Sequence, residues 1–161
     1  MNKTQRIAWP VLLVLALPLV VSAQNSSADY AVIVNRNNPA QNISAAQLRR
    51  FVMGEDRFWP GRLPVSLILQ DERSLERQFV LKNVVHMSLS DYHQHWSGLL
   101  FRGAATAEPT EVPSNGLASG LVASQAGALC IIRTDSLPKN DSVKVLKVDG
   151  KLPGEAGYPL R

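Results

Sequence analysis

The chain of 161 residues holds a single cysteine and three histidines. One thiol cannot form an internal disulfide, whatever the redox state of its compartment. Cys130 lies inside Gly127-Ala-Leu-Cys-Ile-Ile132, where it reads as a small buried hydrophobe and not as a reactive group. Histidine scarcity limits metal chemistry in the same way. His93 and His95 are two apart on a segment with helical periodicity, so they point about 200° from each other and cannot chelate one ion. Also missing are G-x-S-x-G, S-x-x-K and any comparable nucleophile arrangement, so a serine hydrolase is not expected. No cofactor is implied, and a non-enzymatic role is expected.

Long apolar runs are absent except at the start. Lys3 and Arg6 precede IAWPVLLVLALPLVV, and Val21-Ser22-Ala23 supplies small residues at cleavage positions, which reads as a secretory signal peptide, residues 1–23, cut near Ala23. About 15 apolar residues interrupted by Pro10 and Pro18 fall short of the roughly 20 that span a bilayer. Removing Lys3 and Arg6 takes the 17 basic residues to 15 against 13 acidic ones, a net of +2 in place of +4. That small excess forms no basic stripe, so nucleic acid is not an expected partner. After cleavage no membrane span is expected. The remaining residues, 24–161, suit a single domain, with an ordered core over about 30–148.

Along the mature chain, Tyr30-Ala-Val-Ile-Val-Asn35 reads as a buried strand. Ser44 caps a helix over Ala45 to Met53 with Ala45, Leu48, Phe51 and Val52 on one face, and Gly54 supplies a left-handed stop. EDRFWPGRLP is a turn that returns Phe58 or Trp59 to the core. Val65 to Leu69 is a second strand, and Ser74 opens a largely buried helix running to about His86. Ser88 and Asp91 have capping-box spacing before a helix whose apolar face carries Leu89, Tyr92, Trp96, Leu99 and Leu100. On it His93 edges the apolar face and His95 meets solvent. Ala104 to Pro113 reads as a loop, and Ser114 to Gln125 as a weak helix whose Gly116 and Gly120 allow close packing on a strand. Ala128 to Ile132 is a central strand, Val143 to Val148 an edge strand, and the Gly- and Pro-bearing tail KLPGEAGYPLR is expected to be largely without order. The order β-α-β-α-α-α-β-β defines an α/β domain with a mixed sheet and flanking helices.

One junction carries a chemical question. In LILQDERSLERQF an apolar strand runs into a helix start, where the first amides lack intrahelical partners and can bind an anion. Arg73 and Ser74 would add a charge and a hydroxyl, with the amides of Leu75 and Glu76 behind them. The same residues also suit a plain capped turn, because Asp71, Glu72 and Glu76 already supply the negative charge a helix start prefers. Both readings stand on the residues alone.

The ordered landmarks AVIVN, the helix ending FVMG, FWPGRLPVSL, DERSLERQF, DYHQHWSGLLFRG, GALCII and VKVL span Tyr30 to Leu146. Together they resemble one lobe of the periplasmic phosphate-binding proteins of ABC transporters, and more closely the small single-lobe exported proteins of the type-2 periplasmic solute-binding class. The resemblance implies a periplasmic location, an α/β lobe and phosphate or another small oxyanion as ligand, with an inner-membrane transporter or sensor as partner. In the full-length binders this turn carries Ser-Gly-Thr; here Arg73-Ser74-Leu75 stand in the corresponding place and only the serine matches. The alternative on the same fold is a ligand-free accessory domain for protein interaction or sensing, docking through Glu55 to Arg62 or Ala104 to Pro113.

Overall fold

The computed structural model describes residues 29–161. The expected signal segment lies outside the described residues. Strands and helices follow in the order β1 (Tyr30–Asn35), β2 (Asn42–Ile43), α1 (Ala45–Val52), β3 (Ser66–Gln70), α2 (Leu75–Phe79), a π-helical segment (Val80–Val85) and α3 (Leu89–Phe101), and then β4 (Thr110–Val112), α4 (Asn115–Ser124), β5 (Ala128–Arg133), β6 (Val143–Val145) and β7 (Lys147–Val148). Five strands form a mixed sheet in the order β4-β3-β5-β1-β6. β3 runs parallel to β4 and β5, while β1 is antiparallel to β5 and β6.

Side chains alternate across this sheet and build two cores. Val32, Val34, Leu67, Leu69, Leu129 and Ile131 face α1, α2, the π-helical segment and α3. Ile33, Ile68, Cys130 and Ile132 face α4. The continuous apolar runs of β1 and β5 thus serve both faces, as a covered central strand requires.

Local chemistry starts all four helices. Ser44, Ser74, Ser88 and Ser114 each accept a hydrogen bond from the backbone N–H three residues on. In the capping box at α3 the Asp91 carboxylate accepts the Ser88 hydroxyl at 2.7 Å. Gly54 adopts φ 68°, the left-handed stop expected of it. Of the two aromatics in the following turn, Trp59 returns to the core, stacking at a tilt on Phe51 with 4.6 Å between ring centres, and Phe58 stays exposed.

Several expectations are corrected. The helix opened by Ser74 is α-helical only to Phe79, then widens into a π-helical segment that ends at His86 in the left-handed conformation. Widening rotates the faces, which lets Val80, Leu81, Val84 and Val85 all reach the core. Part of the expected loop Ala104 to Pro113 is the edge strand β4, which has one buried residue and forms because it pairs with β3, not because of its own pattern. Val143 to Val148 is two strands: Leu146 is fully buried at the break, and β7 leaves the sheet to pair with β2. Gly120 has nothing within 4 Å of the position of a side chain and gives no close approach; α4 packs through Ala118, Ser119 and Val122. His95, placed in solvent by periodicity, is half-buried with Nε2 2.8 Å from the Met53 carbonyl at the end of α1.

The tail is also ordered. Tyr158 and Leu160 are buried, the Tyr158 hydroxyl donates to the Tyr30 carbonyl at 2.7 Å, and the Tyr30 amide donates to the Leu160 carbonyl at 2.9 Å. Glycines in left-handed conformations at 154 and 157 turn the chain so that these two side chains land on the start of β1.

Candidate functional site

The connections of the parallel strands locate a crevice. β3 leaves its carboxyl end for α2 on one face of the sheet, and its neighbour β4 leaves for α4 on the other. Such a reversal opens a gap at the carboxyl ends of the strands, which is where ligands bind in open α/β sheets. The junction LILQDERSLERQF forms one wall, and the start of α4 forms the other.

The two walls are joined by a polar chain beneath them. Gln70, the last residue of β3, is buried, and its amide nitrogen donates to Asn115 Oδ1 at 2.8 Å and to the Ile131 carbonyl at 3.0 Å. Asn115 Nδ2 in turn donates to Glu76 Oε1 at 2.7 Å. The first residue of α4 is thereby tied to the first turn of α2. Gln70 Oε1 is buried with no partner among the described residues. This cluster is not legible in the sequence, because its members are 39 and 45 residues apart. The available signal is a polar glutamine closing an apolar strand and the cap sequence Ser114-Asn115-Gly116.

The four residues singled out from the sequence lie together at this wall in unequal roles. Ser74 caps α2, its Oγ accepting from the Arg77 amide at 3.0 Å. Its hydroxyl hydrogen donates to no acceptor among the described residues, so capping and donation to an anion are compatible. Leu75 is 54% exposed and Glu76 only 6%. Neither of their backbone amides has a protein acceptor among the described residues, as the geometry of a helix start dictates. The Arg73 side chain is exposed, and its amide donates to Asp71 Oδ1 at 2.9 Å. Of the nearby acids, Glu72 faces His93 Nε2 at 2.8 Å, and the Asp71 carboxylate is folded onto its own turn.

Arg77 is turned away from the crevice. It is buried, with its guanidinium 5.2 Å from the centre of the Tyr92 ring, a cation–π contact on the α3 side. Tyr30 stands on the other flank, stacked on Phe79 at 3.7 Å with its hydroxyl 3.4 Å from the Leu75 carbonyl. Burial raises its pKa, and the Glu76 carboxylate raises it further.

A cavity of about 400 Å³ lies elsewhere, lined by Phe51, Phe58, Leu67, Trp96, Ala105 and Thr110. It opens at the amino ends of β3 and β4, opposite the crevice, and Asp56, Arg57, Ser66 and Glu108 add polar groups to its lining. A second, of about 240 Å³, lies between α1, the π-helical segment and Leu160. We place the candidate site at the shallow crevice because strand polarity, paired helix starts and unpartnered donors coincide there.

Burial pushes the Cys130 thiol up to about 12 from 9.0 and the Tyr92 hydroxyl up to about 12 from 10.0. Neither is a nucleophile at neutral pH. The unfolded chain ionises both groups where the folded protein keeps them protonated. Their contribution to stability is therefore complete below pH 9 and lost as pH rises from 9 through about 12. Urea midpoints measured across that interval should fall steadily; a flat profile would contradict the burial of these two groups.

No family model matches the sequence, and no curated protein matches it. Solved structures do match its fold. PstS from Borrelia burgdorferi superposes with a TM-score of 0.64 at 14% identity, over 83% of this chain and 54% of its own. An ABC-type phosphate transport receptor from Vibrio cholerae gives 0.61 at 18% identity, over 78% and 48%. A Clostridium perfringens protein, described as a phosphate ABC transporter substrate-binding protein and solved with bound phosphate, gives 0.61 at 20%, over 76% and 46%. The chain spans about half the length of the structures it matches. The fold is that of one lobe of a periplasmic solute-binding protein, of the PstS-like kind that the landmarks from Tyr30 to Leu146 suggested.

Proposed function

We propose that this chain is an exported periplasmic binding module, not an enzyme, that holds phosphate or another small oxyanion for an ABC transporter. The observation that carries the reading is the meeting of two helix starts at the strand-order reversal between β3 and β4, with free amides at Leu75 and Glu76 and a free hydroxyl hydrogen on Ser74. Ser74 and the two amides would hold the oxygens, and Arg73 would add charge from the turn. The named phosphate binders among the fold's neighbours support the ligand class. The glycine and threonine of a Ser-Gly-Thr turn have no counterpart here, so a close backbone approach and a donor are lost, which argues for weaker binding than that turn gives.

Calorimetric titration with phosphate tests this directly. A saturable heat is expected, and Ser74→Ala should weaken the affinity roughly tenfold through loss of one charge-assisted bond while costing the fold about 1 kcal/mol through loss of the cap. Absence of both heat and thermal stabilisation at millimolar phosphate would overturn the reading.

A second reading is favoured by one feature. Phe58 and Phe101 are 51% and 93% exposed, and the cavity of about 400 Å³ is lined from both Glu55 to Arg62 and Ala104 to Pro113. A protein-interaction or sensory accessory domain would dock there, and its partner binding would survive Ser74→Ala and phosphate depletion.

A further inference from the structure

The smaller cavity, of about 240 Å³, is lined in a consistent way. Leu48 of α1, Val84 of the π-helical segment and Leu160 of the tail give it an apolar floor, Arg49, Asn83 and His86 stand beside that floor, and no lining residue is acidic. A space below the roughly 300–1,000 Å³ of drug-sized sites admits only a small ligand.

The polar side chains at this cavity are not used up by the fold. The ion pairs among the described residues engage Arg50, His93, Arg133 and Arg161, and Arg49 is in none of them. Its place in the last turn of α1 suits the helix dipole, but that attraction fixes no partner for the guanidinium fork. Asp149, the carboxylate that approaches the start of α1, is held there by the Ala45 amide at 3.1 Å. Asn83 is exposed, and His86 Nδ1 lies 2.8 Å from the Lys82 carbonyl, which turns the rest of the ring outward from its own turn.

The backbone around the cavity is unusual on one side and fixed on the other. The π-helical turn brings Asn83, Val84 and His86 to the same space, and such turns are frequent at functional sites. His86 closes that turn at φ 56°, a conformation that glycine adopts freely and other residues uncommonly. Across from it, Leu160 is held by its carbonyl to the Tyr30 amide at 2.9 Å, and the Tyr158 hydroxyl pins the same stretch to β1 at 2.7 Å. The walls are therefore built before any ligand arrives.

An unpaired guanidinium above an apolar floor selects a particular chemistry. The fork matches a carboxylate, and the floor rewards a short hydrocarbon body behind it. Phosphate would satisfy the fork and leave the floor wet.

We propose that the cavity between α1, the π-helical segment and the tail is a binding site for a small aliphatic monocarboxylate, with Arg49 gripping the head and Leu48, Val84 and Leu160 receiving the chain. Asn83 and His86 wall the head on the π-helical side. The site is separate from the crevice and does not rest on the oxyanion reading.

The test is an amide-shift titration of the full chain with hexanoate, compared with butyrate, acetate, 1-hexanol and inorganic phosphate. Saturable shifts are expected at Leu48, Arg49, Val84, His86 and Leu160 with hexanoate, and affinity should fall roughly threefold for each methylene removed. The alcohol, which has the body without the charge, should bind at least about tenfold more weakly than hexanoate. Arg49→Gln should weaken hexanoate at least about tenfold and leave 1-hexanol unchanged, while Arg49→Lys should recover part of the loss because an ammonium cannot match the fork. His86→Gly should raise the melting temperature by relieving the left-handed backbone and weaken hexanoate a few-fold, a division that a purely structural histidine would not give.

Silence of these amides at tens of millimolar hexanoate overturns the proposal. So does equal binding of acetate, phosphate and hexanoate, which would mark a basic surface that takes any anion. Undiminished hexanoate binding by a folded Arg49→Gln overturns the role of Arg49 and the proposal with it. Phosphate shifts at the crevice, present or absent, decide the oxyanion reading alone.

Discussion

Gly127→Ala is expected to destabilise the protein by at least about 3 kcal/mol, seen as a melting temperature roughly 10 °C lower. A side-chain carbon at this position would lie 1.8 Å from the Pro64 carbonyl oxygen and 3.1 Å from its carbon. Those atoms are backbone, so no rotamer change relieves the clash. The segment cannot simply slide either. The Gly127 carbonyl accepts the Ser66 amide at 3.0 Å, the first rung between β5 and β3, and the indole Nε1 of Trp59 at 2.9 Å. Gly120→Ala is the control, since Gly120 is exposed on α4 with open space around it. That change should leave the fold intact or stabilise it by about 0.5–1 kcal/mol, the usual gain from replacing a mid-helix glycine. Equal melting temperatures for the two variants would refute the close approach of β5 to the Pro64 turn.

Trp59→Ala should cost about 4 kcal/mol, measured as a lower urea midpoint with an unchanged slope. Trp59 is 2% exposed, packs on Phe51 and pins the turn between α1 and β3 to the start of β5. Truncation leaves a large cavity among atoms fixed by the sheet. Trp59→Phe keeps most of the volume and loses the indole donor, so about 1–2 kcal/mol is expected. The Gly127 carbonyl retains the Ser66 amide in that variant, which limits the penalty. If the Phe and Ala variants cost the same, the hydrogen bond and not the packing of the indole ring holds the turn, and the cavity argument fails.

These two positions show which parts of the molecule the sequence expresses. Ser44, Ser74, Ser88 and Ser114 announce their helices because a cap is chemistry within four residues of chain. The faces of α1 and α3 are legible in the same way, from the spacing of Leu48, Phe51, Tyr92 and Trp96. The strand β4 is not, since Thr110-Glu111-Val112 has no pattern of its own and acquires its form from β3. The order of the tail is hidden for a similar reason: its glycines signal turns, and only the position of β1 decides that Tyr158 and Leu160 land on something apolar. Gly116 and Gly120 look suited to a close approach that the fold makes at Gly127 instead.

The same division runs through the candidate site. Arg73, Ser74, Leu75 and Glu76 follow one another in the chain and can be singled out together. Gln70 and Asn115 join them only through the topology, which brings the carboxyl end of β3 and the start of α4 to one place. The sequence also poses cap and anion cradle as rivals at Ser74. The structure shows the cap, and the hydroxyl that accepts from the Arg77 amide still has a hydrogen to give.

The central claim is that an oxyanion sits between the starts of α2 and α4. Amide proton and nitrogen shifts recorded during a phosphate titration report on that location residue by residue. Saturable shifts are expected at Leu75, Glu76, Asn115 and Gly116, with the residues around Phe58 and Trp96 unmoved. Silence of those four amides at millimolar phosphate, or shifts gathered instead around the cavity of about 400 Å³, would contradict it.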